Sequence, residues 1–125
     1  MTTAKHLDFG RETEARFVMD AQAKGFLVSV PFSSAPGYDA IVDTGKRLYR
    51  VQVKGCNPHP MGGKAYCRIS VKRNTRTSPN FDVLAVWVTT AGRWAFLPKS
   101  TRHRTNVNLA LSTLHHRAGW EIFSR

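Results

Sequence analysis

Apolar positions first recur at helical spacing. Gly10, Glu14, Phe17, Val18 and Ala21 fall on one stripe, between Asp8 as a candidate N-cap and Gly25 as a stop. The pattern predicts a helix from Asp8 to Lys24. Glu14 is the oddity, a carboxylate where that stripe should be apolar. The period then shortens. Phe26 to Phe32 is a β-rich run closed by the turn residues Ser33-Ser34-Ala35-Pro36-Gly37. Tyr38 to Asp43 and Arg47 to Lys54 read as two strands around Gly45-Lys46, the signature of a two-residue type II′ hairpin. Cys56 to Lys64, with two prolines and two glycines, reads as a loop, Ala65 to Lys72 as a strand and Arg73 to Asn80 as a basic loop. Phe81 to Thr89 has the continuous apolar character of a buried strand, and Arg93 to Leu97 follows as a shorter one. Val107, Ala110, Leu111 and Leu114 mark a second helix, and Trp120 to Phe123 a terminal strand. This order predicts an α/β (α+β) fold on a mainly antiparallel sheet, as one domain over residues 1–125.

Charge sharpens the picture. The 125 residues carry 19 Lys+Arg against 8 Asp+Glu, a formal charge of +11. From Met1 to Asp43 there are six acids and four bases; from Thr44 to Arg117 one acid, Asp82, faces fourteen bases. Such asymmetry points to a polyanion, and nucleic acid is the leading partner. A membrane-surface role needs a basic amphipathic helix, whereas these bases fall on predicted strands and loops. No apolar run is long enough to span a membrane, and the first residues lack a signal-type stretch. Two cysteines cannot staple a secreted mini-protein, so a reducing, intracellular setting is expected, cytoplasmic or nucleoid-associated.

The hairpin turn sets a register. With Gly45 and Lys46 as the loop, paired positions sum to 91, placing Asp39 opposite Gln52, Ile41 opposite Arg50 and Asp43 opposite Leu48. Alternation then puts Asp39, Arg50, Gln52 and Lys54 on one face, and Tyr38, Ala40, Val42, Tyr49, Val51 and Val53 on an apolar one. A carboxylate, an amide and a lysine within reach of one another suit metal-dependent phosphodiester cleavage. Mg²⁺ takes oxygen ligands: Asp39 as anchor, the Gln52 amide oxygen as a neutral ligand and the Val53 carbonyl as a third. Lys54 would orient or activate the attacking water and offset charge on the phosphate. Glu14 could complete the site if its helix packs beside the hairpin, and Gly10, one turn earlier, would leave room for a phosphate.

At these residues the chain resembles the PD-(D/E)XK nuclease superfamily. The stretch is Val30-Pro31-Phe32, Gly37 to Val42 and Leu48 to Lys54, with Phe81 to Val86 and Trp94 to Pro98 following. It is most similar to the group I intron homing endonuclease branch, in which glutamine replaces the usual acid. Archaeal-type Holliday junction resolvases are similar in layout, with a Gly-x-x-x-Glu helix matched by Gly10 and Glu14, and a serine before the Asp, as at Ser33 and Ser34. The resemblance implies a restriction-endonuclease-like fold, a central mixed sheet flanked by helices. It also implies that Glu14, Asp39, Gln52 and Lys54 are the helix acid, the metal Asp, the third ligand and the lysine. Tyr38 stands where the motif has Pro, and Gln52 removes one negative charge, which should weaken metal binding.

The expected function is therefore a Mg²⁺-dependent DNA endonuclease (Mn²⁺ substituting), of homing type. Its alternatives are a Holliday junction resolvase and a non-catalytic nucleic-acid-binding module on the same fold. The substrate would be duplex or four-way-junction DNA and the assembly a homodimer or homotetramer, with no membrane and no other protein partner. DNA contacts are expected from Arg11, Ser33, Ser34, Arg50, Lys64, Lys72, Arg73 and Arg76. Cys56-x₂-His59 with Cys67 lacks a fourth zinc ligand at suitable spacing, so ordinary thiols are expected there.

Overall fold

A computed structural model of the chain describes residues 2–33, 37–71 and 79–124; Ser34, Lys72, Arg73 and Arg76 lie outside the described residues. The first element is one long helix, α1 (Thr2–Ala23). Asp8 is thus inside the helix and is not its N-cap, since no glycine or proline between Thr2 and Asp8 interrupts it. The C-terminal end is as expected. Gly25 adopts φ +91°, the Gly25 N–H donates to the Gln22 carbonyl at 2.9 Å and the Phe26 N–H to the Ala21 carbonyl at 3.2 Å, a Schellman stop.

Among the described residues eight strands follow: β1 (Leu27–Ser29), β2 (Ala40–Asp43), β3 (Leu48–Cys56), β4 (His59–Met61), β5 (Lys64–Ser70), β6 (Val83–Val88), β7 (Arg93–Pro98) and β8 (Asn106–Ala110). The main sheet has the order β1-β2-β3-β6-β7. Its neighbours are antiparallel except β3 and β6, which run parallel. A smaller antiparallel sheet has the order β4-β5-β8. The β2–β3 register is the one the turn dictates, with Ile41 opposite Arg50 and Asp43 opposite Leu48. Gly45 has φ +87° while Lys46 stays at negative φ, the sign pattern of a type II′ turn.

Three expectations are corrected. Cys56 to Lys64 is not a loop: β3 runs to Cys56, and β4 and β5 form a second hairpin around Gly62 and Gly63. Both glycines have positive φ (61° and 79°), which a type I′ turn requires. The second helix is instead β8 followed by a short 3-10 helix, Leu111–His116. Val107 and Leu109 are buried between more exposed asparagines, a period of two that pairs β8 with β5 from Ser70 opposite Asn106 to Tyr66 opposite Ala110. The terminal strand is also a 3-10 helix, Trp120–Ser124, whose Ile122 and Phe123 are buried.

The main sheet is covered on both faces. On one, Phe17 and Ala21 of α1 pack with Val42, Val51, Val53, Phe96 and Phe123. On the other, Leu84, Val86, Ala95 and Leu97 pack against Cys67, Ile69, Val107 and Leu109 of the small sheet. Tyr38 lies against this second cluster, away from the face of Ala40 and Val42, because it precedes the paired part of β2. Cys56 and Cys67 meet in this core as a disulfide, with Cα atoms 5.9 Å apart, rather than as the two thiols expected. Their sulfurs are bonded to each other and are not thiolate ligands. Among the described residues no helix is long and apolar enough to cross a membrane.

Asp82, the lone acid of the basic stretch, ties β3 to β6. Its carboxylate accepts the Arg50 backbone N–H at 2.8 Å and the guanidinium at 3.2 and 3.3 Å, while its own N–H donates to the Arg50 carbonyl at 2.8 Å. Partial burial pushes the Asp82 carboxyl up, but the hydrogen bonds from Arg50 outweigh it and hold the group below its ordinary value. Replacing Asp82 by Ala leaves the Arg50 backbone N–H unpaired and removes two hydrogen bonds of the guanidinium, and is expected to cost about 2 kcal/mol in urea unfolding, with Asp82→Asn intermediate.

Candidate active site

The site begins where strand pairing stops. The β2–β3 ladder starts at Ala40 opposite Val51, and Asp39, one residue earlier, continues it in part with its side chain. The Asp39 N–H donates to the Val51 carbonyl, and an Asp39 carboxylate oxygen accepts the Val53 N–H, each at 2.8 Å. Beyond that point β3 keeps its partner β6 as far as Cys56 but, among the described residues, has no strand on the β2 side. The result is a notch at the edge of β3. Because the N–H and C=O of one strand residue face the same edge, the Val53 carbonyl opens onto this notch beside Asp39.

Helix α1 closes the notch from above. It packs on β3 at Gly55, where a Cβ would lie 2.5 Å from the Phe9 ring and 2.8 Å from the Thr13 hydroxyl. Thr13 is buried and its hydroxyl donates to the Phe9 carbonyl at 2.7 Å. This close approach brings Glu14, one residue further along α1, over the notch. The cavity formed is lined by Gly10, Glu14, Asp39, Gln52, Val53 and Lys54, together with Phe9, Thr13 and Gly55. All four residues singled out in the sequence thus meet at one place. They meet differently from the expectation: Glu14 reaches the site from the Val51–Val53 face, on which α1 lies, while Gln52 and Lys54 alternate to the other face of β3. Phe9, Thr13 and Gly55 were not foreseen, although a glycine directly after Lys54 inside a strand is a signal of close backbone approach.

Electrostatics couple the two acids. Burial raises the Glu14 carboxyl most, the Asp39 charge raises it next, and a hydrogen bond between the two side chains adds to both. Lys54 and Arg11 pull the other way, and the balance takes Glu14 from 4.5 to about 7. Glu14 thus holds its proton more tightly than an ordinary carboxyl, because ionising it in a partly buried place beside the Asp39 charge is costly without a cation between them. The Gln52 side-chain oxygen is buried and finds no hydrogen-bond partner among the described residues, an orphaned acceptor that ordinarily costs stability. Carboxylates, an unsatisfied amide oxygen and a backbone carbonyl form the all-oxygen donor set that suits Mg²⁺. No group of three or more His, Cys, Asp or Glu occurs among the described residues, so such a site depends on the amide and the carbonyl. The cavity, about 440 Å³, has room for roughly fifteen water volumes, enough for a hydrated ion and a phosphodiester.

The remaining expected contacts have different settings. Ser33 lines an adjoining cleft with Glu14, Asp39, Tyr38 and the segment Val30–Phe32. Arg11 is exposed on α1, and Lys64 is exposed at the start of β5. The Arg50 guanidinium is engaged by Asp82 and by Asn80 at 2.6 Å, so most of its charge is already neutralised and it offers a phosphate much less than an unpaired arginine would.

The fold has neighbours among solved structures. The bacterial homing endonuclease I-Ssp6803I superposes with a TM-score of 0.71 at 18% identity, over 91% of this chain and 87% of that one. Hjc, a Holliday junction resolvase from the archaeal hyperthermophile Archaeoglobus fulgidus, superposes with a TM-score of 0.59 at 15% identity, over 92% of this chain and 94% of that one. Among curated proteins none matches the sequence. The PD-(D/E)XK endonuclease family matches residues 4–121, nearly the whole chain. With that match and this fold, the chain belongs to the PD-(D/E)XK endonuclease family.

Proposed function

We propose that this protein is a Mg²⁺-dependent DNA endonuclease of homing type, cutting duplex DNA as a homodimer or homotetramer. The observation that carries this reading is the convergence of the Glu14–Asp39 pair, the orphaned Gln52 oxygen and Lys54 in one cavity. Asp39, Glu14, the Gln52 amide oxygen and the Val53 carbonyl are the groups that would hold the cation. When bound, the cation supplies positive charge that stabilises the phosphorane-like transition state. Lys54 presents its ammonium to the scissile phosphate and orients the attacking water by hydrogen bonding. Asp39 is positioned for its role by the Val53 N–H, which fixes its carboxylate at the strand edge. The excess of bases beyond Asp43 draws DNA in by a salt-sensitive attraction. One such site cleaves one strand, so a double-strand cut calls for at least two copies.

A second reading, four-way junction resolution, is supported by Gly10 and Glu14 on α1 and by Ser33 in the cleft beside the acids, the layout in which the chain resembles the resolvases. A non-catalytic DNA-binding module is the outcome if no cleavage occurs at all.

Lys54→Ala and Asp39→Ala are expected to reduce Mg²⁺-dependent cleavage about 100-fold or more, while DNA affinity measured in EDTA changes by less than about threefold. Unchanged cleavage in either variant removes the site assignment. Incubation of a synthetic four-way junction beside a linear duplex of the same arms separates the two readings: comparable or faster cutting of the duplex supports the homing type, and cutting confined to the junction supports the resolvase. The Glu14 carboxyl also has a signature without metal. A group whose folded pKa is raised from 4.5 to about 7 binds its proton more tightly when folded, so it lowers stability progressively as pH rises through that window and adds no further slope above it. In EDTA, the urea midpoint of wild type minus that of Glu14→Gln should fall between pH 4.5 and 7; a constant difference would remove the coupled pair.

A further inference from the structure

Seven phenylalanines occur in the chain, and Phe32 is set apart from the rest. Phe17, Phe81, Phe96 and Phe123 are at most 3% exposed and Phe9 and Phe26 are half-buried, whereas Phe32 is fully exposed (108%). Val30 beside it is 61% exposed, and Pro31 between them restricts the backbone that presents the ring. This apolar lip does not stand on a remote surface. Val30, Pro31 and Phe32 line the cleft whose other wall holds Glu14 and Asp39. One cleft therefore offers oxygen ligands on one side and a flat aromatic face on the other. A nucleotide complements both a few ångströms apart, its phosphate through the cation those oxygens would hold and the π-face of its base against the ring. In a chain of charge +11, a polyanion that also carries flat apolar surfaces is the partner this combination fits.

We propose that Phe32 is a base-stacking residue, packing against a base next to the phosphate that a cation at Asp39 and Glu14 would draw into the cleft. This rests on the nuclease reading of that site and extends it from the phosphate to the base. Stacking requires a base face, which a continuous duplex exposes only when a step is opened or kinked. A branch point already exposes such faces, so the contact contributes more on a four-way junction than on a linear duplex.

The test uses the full chain in EDTA, where binding proceeds without cleavage, with a synthetic four-way junction and a linear duplex of the same arms as probes. Phe32→Ala is expected to weaken junction binding about 5- to 100-fold, with a smaller loss on the duplex. The slope of log affinity against log salt should not change, because no phosphate contact is removed. Phe32→Tyr should restore affinity, and the indole introduced by Phe32→Trp should be quenched by DNA beyond the change seen in wild type. Wild-type affinity in Phe32→Ala, or an indole emission that DNA leaves unchanged, overturns the stacking contact. So does a changed sedimentation mass of Phe32→Ala without DNA, which would assign the ring to a contact between copies. Failure of wild type to bind either DNA overturns both this contact and the nuclease reading. Retained binding and quenching with no cleavage in Mg²⁺ overturns the nuclease reading alone and leaves the stacking contact standing.

Discussion

The hydrogen bond from the Val53 N–H to the Asp39 carboxylate, 2.8 Å long, is the contact on which the site depends. A side chain here takes a donor that a neighbouring strand would otherwise satisfy. That substitution lets β2 stop at Ala40 without leaving the Val53 N–H unpaired, and it opens the edge of β3 that becomes the cavity floor. It also fixes Asp39 in the plane of the sheet, where groups from both faces can reach it. Without it, Gln52 and Lys54 on one face and Glu14 above the other would have no shared meeting point.

The scarcity of acids gives this pair its meaning. Asp82 is engaged by Arg50, Asp20 accepts the Trp94 indole N–H at 2.8 Å, Asp43 accepts the Gly45 N–H in the hairpin turn, and Glu121 accepts the Gly119 N–H. Each of these stabilises the fold locally. Glu14 and Asp39 instead face each other; burial first and the Asp39 charge second raise the Glu14 carboxyl, a cost in the absence of a cation. The orphaned Gln52 oxygen is a second cost at the same place. Strain of this kind gathered in one cavity marks a binding site better than any single residue does.

Much of this was legible in the chain. Gly45-Lys46 allowed the β2–β3 register to be computed, and the alternation about it placed Ala40, Val42, Tyr49, Val51 and Val53 on the apolar face where they pack. Other elements were misread for identifiable reasons. Pro58 and Pro60 suggested a loop and obscured the Gly62-Gly63 turn; Pro60 lies in β4, an edge strand of three exposed residues paired with β5 among the described residues, where a missing N–H is tolerated. Val107, Ala110, Leu111 and Leu114 fit a helical period, yet Val107 and Leu109 fit a period of two equally well, and the unpaired edge of β5 decided between them.

What the sequence by itself determined is local: a two-residue turn ties positions on either side by backbone geometry, so the placement of Asp39 beside Gln52 follows from chemistry within a few residues of Gly45. What only the tertiary structure decided is how the packed layers meet. Glu14 joins Asp39 because Gly55 has no Cβ to hold α1 away from β3. Cys56 reaches Cys67 because two sheets stack face to face. Phe32 remains outside the core at the mouth of the cleft. None of these is set by spacing along the chain, since burial and contact between distant elements depend on how the layers pack, and periodicity records only which face an element turns inward.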